Sequence, residues 1–146
     1  MDIVHRIGVK DATTEDVYAA LTTIEGLAGW WTTDTTGDAE VGGVIAFRFI
    51  PGGFDMKVKE LVPGKAVLWE VVEGPPEWLG TEVSFELKQE GEYAIVLFEH
   101  RGWADQVEFM YHCSTKWASY LLSLKQLVET GKGAPAPYDV MISDWH

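Results

Sequence analysis

Asparagine is absent from the 146 residues, and cysteine occurs once, as Cys113. The first absence removes every N-glycosylation acceptor. The second rules out an internal disulfide framework and suits a reducing compartment, so a cytoplasmic location is expected. Positive charge is scarce: 11 Lys and Arg against 23 Asp and Glu leave a net charge of −12. Such a surface repels phosphate backbones and anionic lipid, so neither nucleic acid nor a membrane is expected as a partner. No run of about 18 apolar residues exists to span a bilayer. The opening Met1-Asp2-Ile3-Val4-His5-Arg6 lacks the apolar stretch of a signal peptide. Also missing are a Walker loop, a dinucleotide fingerprint, a Gly-x-Ser-x-Gly elbow and a His-Glu-x-x-His pair. His5, His100, His112 and His146 are scattered without metal-ligand spacing, and neither a metal nor another cofactor is expected.

What the chain does have is the length of one domain and 47% hydrophobic residues, enough for a sizeable core. Its longest periodic stretch runs from Asp105 to about Thr130. Val107, Met110, Tyr111, Ser114, Trp117, Leu121, Leu124 and Val128 recur at steps of three and four, which predicts one face of a long helix. Asp105 is a candidate cap at its start, Gly131 ends it, and Pro135 and Pro137 forbid continuation. That face mixes a sulfur, a phenol, a hydroxyl and an indole with leucines, where a purely structural helix would carry Leu, Ile and Ala.

Upstream, Asp2–Val9 reads as a strand, and Thr13-Thr14-Glu15-Asp16 as a capping box opening the first of two short helices. Trp30-Trp31 follows; adjacent indoles diverge, so one is expected in the core and the other at a cleft. Thr32–Glu40 reads as a polar loop. From Gly42-Gly43 onward the pattern alternates. Ile45, Phe47 and Phe49 come first, then Phe54, Met56 and Val58. Val67, Trp69 and Val71 follow, then Val83, Phe85 and Leu87, with turns at Pro51-Gly52-Gly53, Pro63-Gly64 and Glu90-Gly91-Glu92. The last strand, Tyr93–Glu99, carries five apolar residues in a row and leaves its inward face open. The tail contains Val140, Ile142 and Trp145, too apolar for a free end. It is expected to pack on the outer surface of the sheet or on a partner subunit.

The order of elements describes an α+β domain over residues 1–146: a curved antiparallel sheet gripping a C-terminal helix. With it go Val17-Tyr18-Ala19-Ala20-Leu21-Thr22 before Trp30-Trp31, Val67-Leu68-Trp69 after the Pro63-Gly64 turn, and Phe98-Glu99-His100-Arg101-Gly102-Trp103 before the helix. Trp117-x-x-Tyr120-Leu121-x-x-Leu124 lies within the helix. In this set the chain resembles the START / Bet v 1-like (SRPBCC) superfamily, and within it the AHSA-like branch, homologues of an activator of a heat-shock-protein ATPase. Lys116 stands where the family commonly has Gly, which implies looser packing at that point. The resemblance implies the helix-grip fold and a cavity between sheet and helix for a small hydrophobic or aromatic molecule. Relatives on the scaffold include lipid carriers, polyketide cyclases, hormone receptors and co-chaperone domains, so fold alone does not decide among them.

Three functions follow as expectations. The first is non-catalytic binding of a small hydrophobic ligand. Trp30, Trp31 and Trp78 lie in connecting segments that would form the mouth. Phe47, Phe49, Met56, Trp69 and Phe85 come from the strands, and Met110, Tyr111, Ser114 and Trp117 from the helix. The second is a cyclase- or aromatase-like enzyme using Tyr111, His100 or Glu99 as acid and base, with Arg48 as a further polar group. The third is a protein-interaction module related to the chaperone ATPase activator. Seven tryptophans in so small a chain also leave apolar surface for a homodimer.

Overall fold

The computed structural model describes residues 1–146. Strand β1 (Ile3–Lys10) is followed by helices α1 (Thr14–Thr22) and α2 (Ile24–Trp30) and by strands β2 (Asp34–Gly37) and β3 (Val44–Arg48). Then come β4 (Gly53–Val62), β5 (Ala66–Glu73), β6 (Glu82–Glu90), β7 (Tyr93–Arg101) and helix α3 (Glu108–Thr130). The strands form one antiparallel seven-stranded sheet in the order β1-β7-β6-β5-β4-β3-β2. Five hairpin-linked strands make the meander, and β1 and β2 close its two edges. This is the α+β helix-grip fold.

Local chemistry explains the elements. Thr13 Oγ1 accepts from the Asp16 amide at 3.2 Å while Asp16 Oδ2 accepts from the Thr13 amide at 3.0 Å, the reciprocal capping box expected from the sequence. Gly131 ends α3 at φ 87°, a left-handed conformation that costs a glycine nothing, and its N–H bonds Leu127 O. The start of α3 departs from expectation. Val107, not Asp105, is the N-cap, and no side chain caps it. Strand β2 lies within Thr32–Glu40, a stretch expected to be a polar loop. Its four residues pair with β3, Thr35 opposite Phe47, and only Thr35 is buried.

The core lies between the concave face of the sheet and the helices. Register decides which side of β7 faces in. Phe98 pairs with Phe85 of β6, and Ala94, Val96, Phe98 and His100 point to the helices. Two register shifts in β4, at Asp55/Met56 and Val58/Glu60, mark bulges that bend the sheet. The C-terminal half of α3 is clamped to β1: Lys125 Nζ donates to Gly8 O, and Glu129 Oε2 accepts from the Lys10 amide at 2.8 Å.

The buried residues of α3 are Cys113, Trp117, Tyr120, Leu121, Ser123 and Leu124. The stripe they form is turned from the expected one. At 100° per residue Tyr111 lies about 120° around the helix from Trp117, and it is 61% exposed. Met110 and Ser114 sit on the shoulder of the stripe, half-buried. The tail also departs from expectation. Of the two sites expected for it, the outer surface of the sheet is not used: it returns along α3 and the Trp31–Thr33 stretch that precedes β2, and Val140 and Trp145 stay about half exposed.

Candidate functional site

The open end of the grip holds a cavity of about 500 Å³. Its walls come from five places in the chain: Trp31 to Asp34 after α2, the β3–β4 turn with Phe49 and Phe54, the β5–β6 connection with Pro75 and Trp78, the N-terminal half of α3, and the tail from Ala136. The apolar wall is aromatic. Trp31 meets Phe47 at a centroid distance of 4.2 Å, Trp117 at 4.8 Å and Phe54 at 5.1 Å. Trp78 packs on Phe54 at 4.5 Å and stacks on Trp117 at 6.0 Å. Contacts of this kind contribute about 0.5–1.5 kcal/mol each beyond area burial, so these rings form a stiff surface.

The adjacent indoles do not diverge as expected: they stack at 5.6 Å and both are fully buried, because α2 ends at Trp30 and turns Trp31 back over it. Trp30 is in the core and donates from Nε1 to Ala20 O at 3.0 Å, whereas Trp31 lines the cavity. Of the other candidates, Phe49, Trp78 and Trp117 also line it. Phe47, Met56, Trp69 and Phe85 are fully buried behind that wall. Met110, Tyr111 and Ser114 lie outside it. Ser114 turns to β1 instead, where His5 Nε2 donates to its carbonyl at 3.0 Å.

The three candidate acid–base groups do not converge. Tyr111 is at the surface, its hydroxyl accepting from Gln106 Nε2 at 2.8 Å. Glu99 is on the outer face of the sheet, paired with Arg101 at 3.0 Å. His100 is fully buried on the inner face, and burial lowers its pKa to about 3. The Trp117 indole can only donate, so His100 Nδ1 is the acceptor of their 3.1 Å bond and Nε2 carries the proton. Nε2 then donates to Thr81 Oγ1 at 2.8 Å, and Thr81 Oγ1 donates to Trp78 O at 2.6 Å. His100 is a neutral strut joining β7, α3 and the β5–β6 connection. Arg48, at the cavity edge, pairs with Asp55 at 2.7 Å.

One polar cluster in the wall was not legible in the sequence. Asp139 from the tail is 2% exposed in its side chain. It accepts from Lys116 Nζ at 2.5 Å and from Tyr120 Oη at 2.8 Å, and His146 Nε2 lies 3.2 Å away. Burial alone would raise the Asp139 pKa; the bonds from Lys116, Tyr120 and His146 overcome it and hold the carboxyl below its usual value. The Tyr120 phenol is pushed upward, first by burial and then by the Asp139 carboxylate. Lys116 is therefore tightly engaged, contrary to the looser packing expected there. Close by, burial pushes the Cys113 thiol up to about 12; the Trp78 indole N–H beside it offsets part of this shift. Trp78 Nε1 has no hydrogen-bond partner of normal geometry, sulfur being a weak acceptor.

A curved sheet gripping one long helix, with an aromatic cavity at the open end, defines a helix-grip protein of the SRPBCC class. More narrowly, residues 11–129 match the family described as activator of Hsp90 ATPase homolog 1-like protein, and the chain belongs to that family. Among solved structures it is similar to an Aha1 from Colwellia psychrerythraea, described as a dimer. The two are 49% identical with a TM-score of 0.84, over 91% of this chain and 99% of that one. It shares its fold with protein MLL2253 from Mesorhizobium loti at 20% identity and a TM-score of 0.76, covering 88% of this chain and 96% of that chain. The same holds for DynU16, from the dynemicin biosynthetic locus, at 20% identity and a TM-score of 0.74, over 90% of this chain and 48% of that one. No curated protein matches the chain significantly. No helix is long and apolar enough to cross a membrane.

Proposed function

We propose that the chain is a cytoplasmic, non-catalytic binding module that takes a small hydrophobic or aromatic molecule between its sheet and α3. The observation that carries this reading is the cavity of about 500 Å³ walled by Trp31, Phe49, Phe54, Trp78 and Trp117. Small-molecule sites are of roughly 300–1,000 Å³, mostly apolar, with a few fixed polar groups, and this one matches on each count. A cyclase-like activity has weaker support. General acid–base chemistry needs groups within about 2.6–3.2 Å of the proton they move, and Tyr111, His100 and Glu99 occupy three separate environments.

Native mass spectrometry of the protein as purified tests the reading. The expected result is a co-purifying small apolar molecule that organic solvent removes. A bare chain, together with a melting temperature unmoved by a panel of aromatic ligands, overturns it.

A second reading is an interaction module that docks on a chaperone. The family description favours it, as do Tyr138, Val140, Met141 and Trp145, apolar residues exposed together along the tail. Assembly as a homodimer belongs to either reading, supported by the relative from C. psychrerythraea that is described as a dimer. Sedimentation showing monomer alone at micromolar concentration and above removes the dimer.

A further inference from the structure

Asp139 is a buried carboxylate supplied by the tail to the wall of an aromatic cavity. Its two closest partners, Lys116 and Tyr120, are one helical turn apart on α3, and both line the cavity. Lys116 is 12% exposed in its side chain, and its ammonium also bonds Val140 O at 2.9 Å and lies 5.2 Å from the Tyr120 ring. α3 therefore presents a cation and a phenol O–H, both fixed and largely out of water, at the end of an apolar space. A buried ammonium needs an anion, and here the anion comes from a segment of few other anchors. Apart from Asp139, the tail beyond Ala136 is held to α3 by a Lys116 bond to Val140 O, a long contact of 3.4 Å between Ser143 and His112, and the edge-on packing of Trp145 on the His112 ring at 5.5 Å. Tyr138 and Met141 remain largely in solvent, and Trp145 is half exposed at the cavity rim.

We infer that Lys116 and Tyr120 form a carboxylate seat for the head group of an aromatic acid, and that Asp139 fills it as an internal competitor which such a ligand displaces. The inference rests on the cavity reading above and sharpens it. The ligand has a planar apolar body for the Trp31, Phe54, Trp78 and Trp117 surface and a carboxylate for the seat. Binding frees the tail segment from Asp139 to His146, so occupancy of the cavity is reported at the surface through Val140 and Trp145. The geometry suits the exchange. A carboxylate accepts from Lys and Tyr together, and the two oxygens of a ligand acid can replace both Asp139 and the Val140 carbonyl on Lys116, leaving no buried donor unmatched.

The test uses calorimetric titration of the full chain with naphthoate and with neutral naphthylmethanol. The isosteric variant Asp139→Asn removes the internal charge. It is expected to tighten naphthoate by about ten-fold, because the competent state no longer has to be freed, and to leave naphthylmethanol within about two-fold. Adding Lys116→Met to Asp139→Asn is expected to abolish the gain. In the parent chain, naphthoate should move the backbone amide resonance of Met141, which lies outside the cavity wall, towards its position in Asp139→Asn. Equal affinity for acid and alcohol in every variant overturns the seat while leaving the cavity reading standing, since the alcohol still binds. Failure of both ligands to bind any variant overturns the cavity reading and the seat with it.

Discussion

Trp117 Nε1 donates to His100 Nδ1 across 3.1 Å, and this bond ties the middle of α3 to the inner face of β7 within the aromatic core. Trp117 → Phe keeps a ring but removes the donor and leaves a buried acceptor unmatched. The expected loss is about 1–3 kcal/mol, the penalty for such an orphan. It is read as a lower urea midpoint with an unchanged slope. An unmoved midpoint would mean that the bond contributes nothing net.

His100 also makes stability depend on pH in a defined direction. Its folded pKa, about 3, lies below the ordinary 6.5. Between those values the unfolded chain binds a proton that the folded chain refuses, so its contribution is full above the ordinary value and is lost as pH falls towards the folded one. This group alone gives a slope of up to about 1.4 kcal/mol per pH unit. Urea unfolding at intervals from pH 7 to pH 5 should show the decline, and His100→Gln should flatten it. Parallel curves for the two proteins would contradict the linkage.

Cys113 should be inert while the chain is folded. With its pKa pushed up to about 12 by burial, the thiolate is scarce at neutral pH, and the thiolate is the reacting form. Iodoacetamide is expected to label the protein in urea and to spare it in buffer. Rapid labelling in buffer would mean that the cavity wall opens around the thiol.

The same position is the place to fill the cavity. Cys113→Phe puts a ring into the space beside Trp78 and Trp117, at an overpacking cost of about 1–3 kcal/mol. Aromatic ligands should then lose their effect on tryptophan fluorescence while the fold persists. Quenching equal to that of the parent would locate the bound ligand elsewhere. Ser114→Trp makes a good control, because Ser114 faces His5 of β1.

Truncation after Lys132 removes Asp139 and the Thr32–Ala136 bridge. The melting temperature should fall by the equivalent of about 1.5–3 kcal/mol, the range for hydrogen bonds to a charged group. Acid should release the tail by the same route. The Asp139 carboxyl is held below its ordinary 3.8, so its contribution is complete above that value and is lost as pH falls through the folded pKa. Tail resonances that stay put in acid, or an unchanged melting temperature on truncation, would show that Asp139 does not anchor the tail.

Periodicity and turn chemistry in the sequence determined the Thr13–Asp16 box, the Gly131 stop and the order of elements apart from the short strand β2, because each depends on neighbours a few residues apart. The family motifs rest on the same local signals. Three things were decided only by the tertiary structure. A three-and-four repeat allows overlapping stripes, and packing against the inner face of the sheet and the end of α2, Trp117 on Phe98 and Tyr120 beside Trp31, chose Cys113, Trp117, Tyr120 and Leu124 over Tyr111 and Ser114. Five consecutive apolar residues in β7 have no preferred face until the register with Phe85 of β6 sets one. Asp139 looked like any tail carboxylate, since its partners Lys116 and Tyr120 are 23 and 19 residues earlier. A charge becomes buried and paired only when the chain folds back upon itself, and that long-range closure leaves no trace in local pattern.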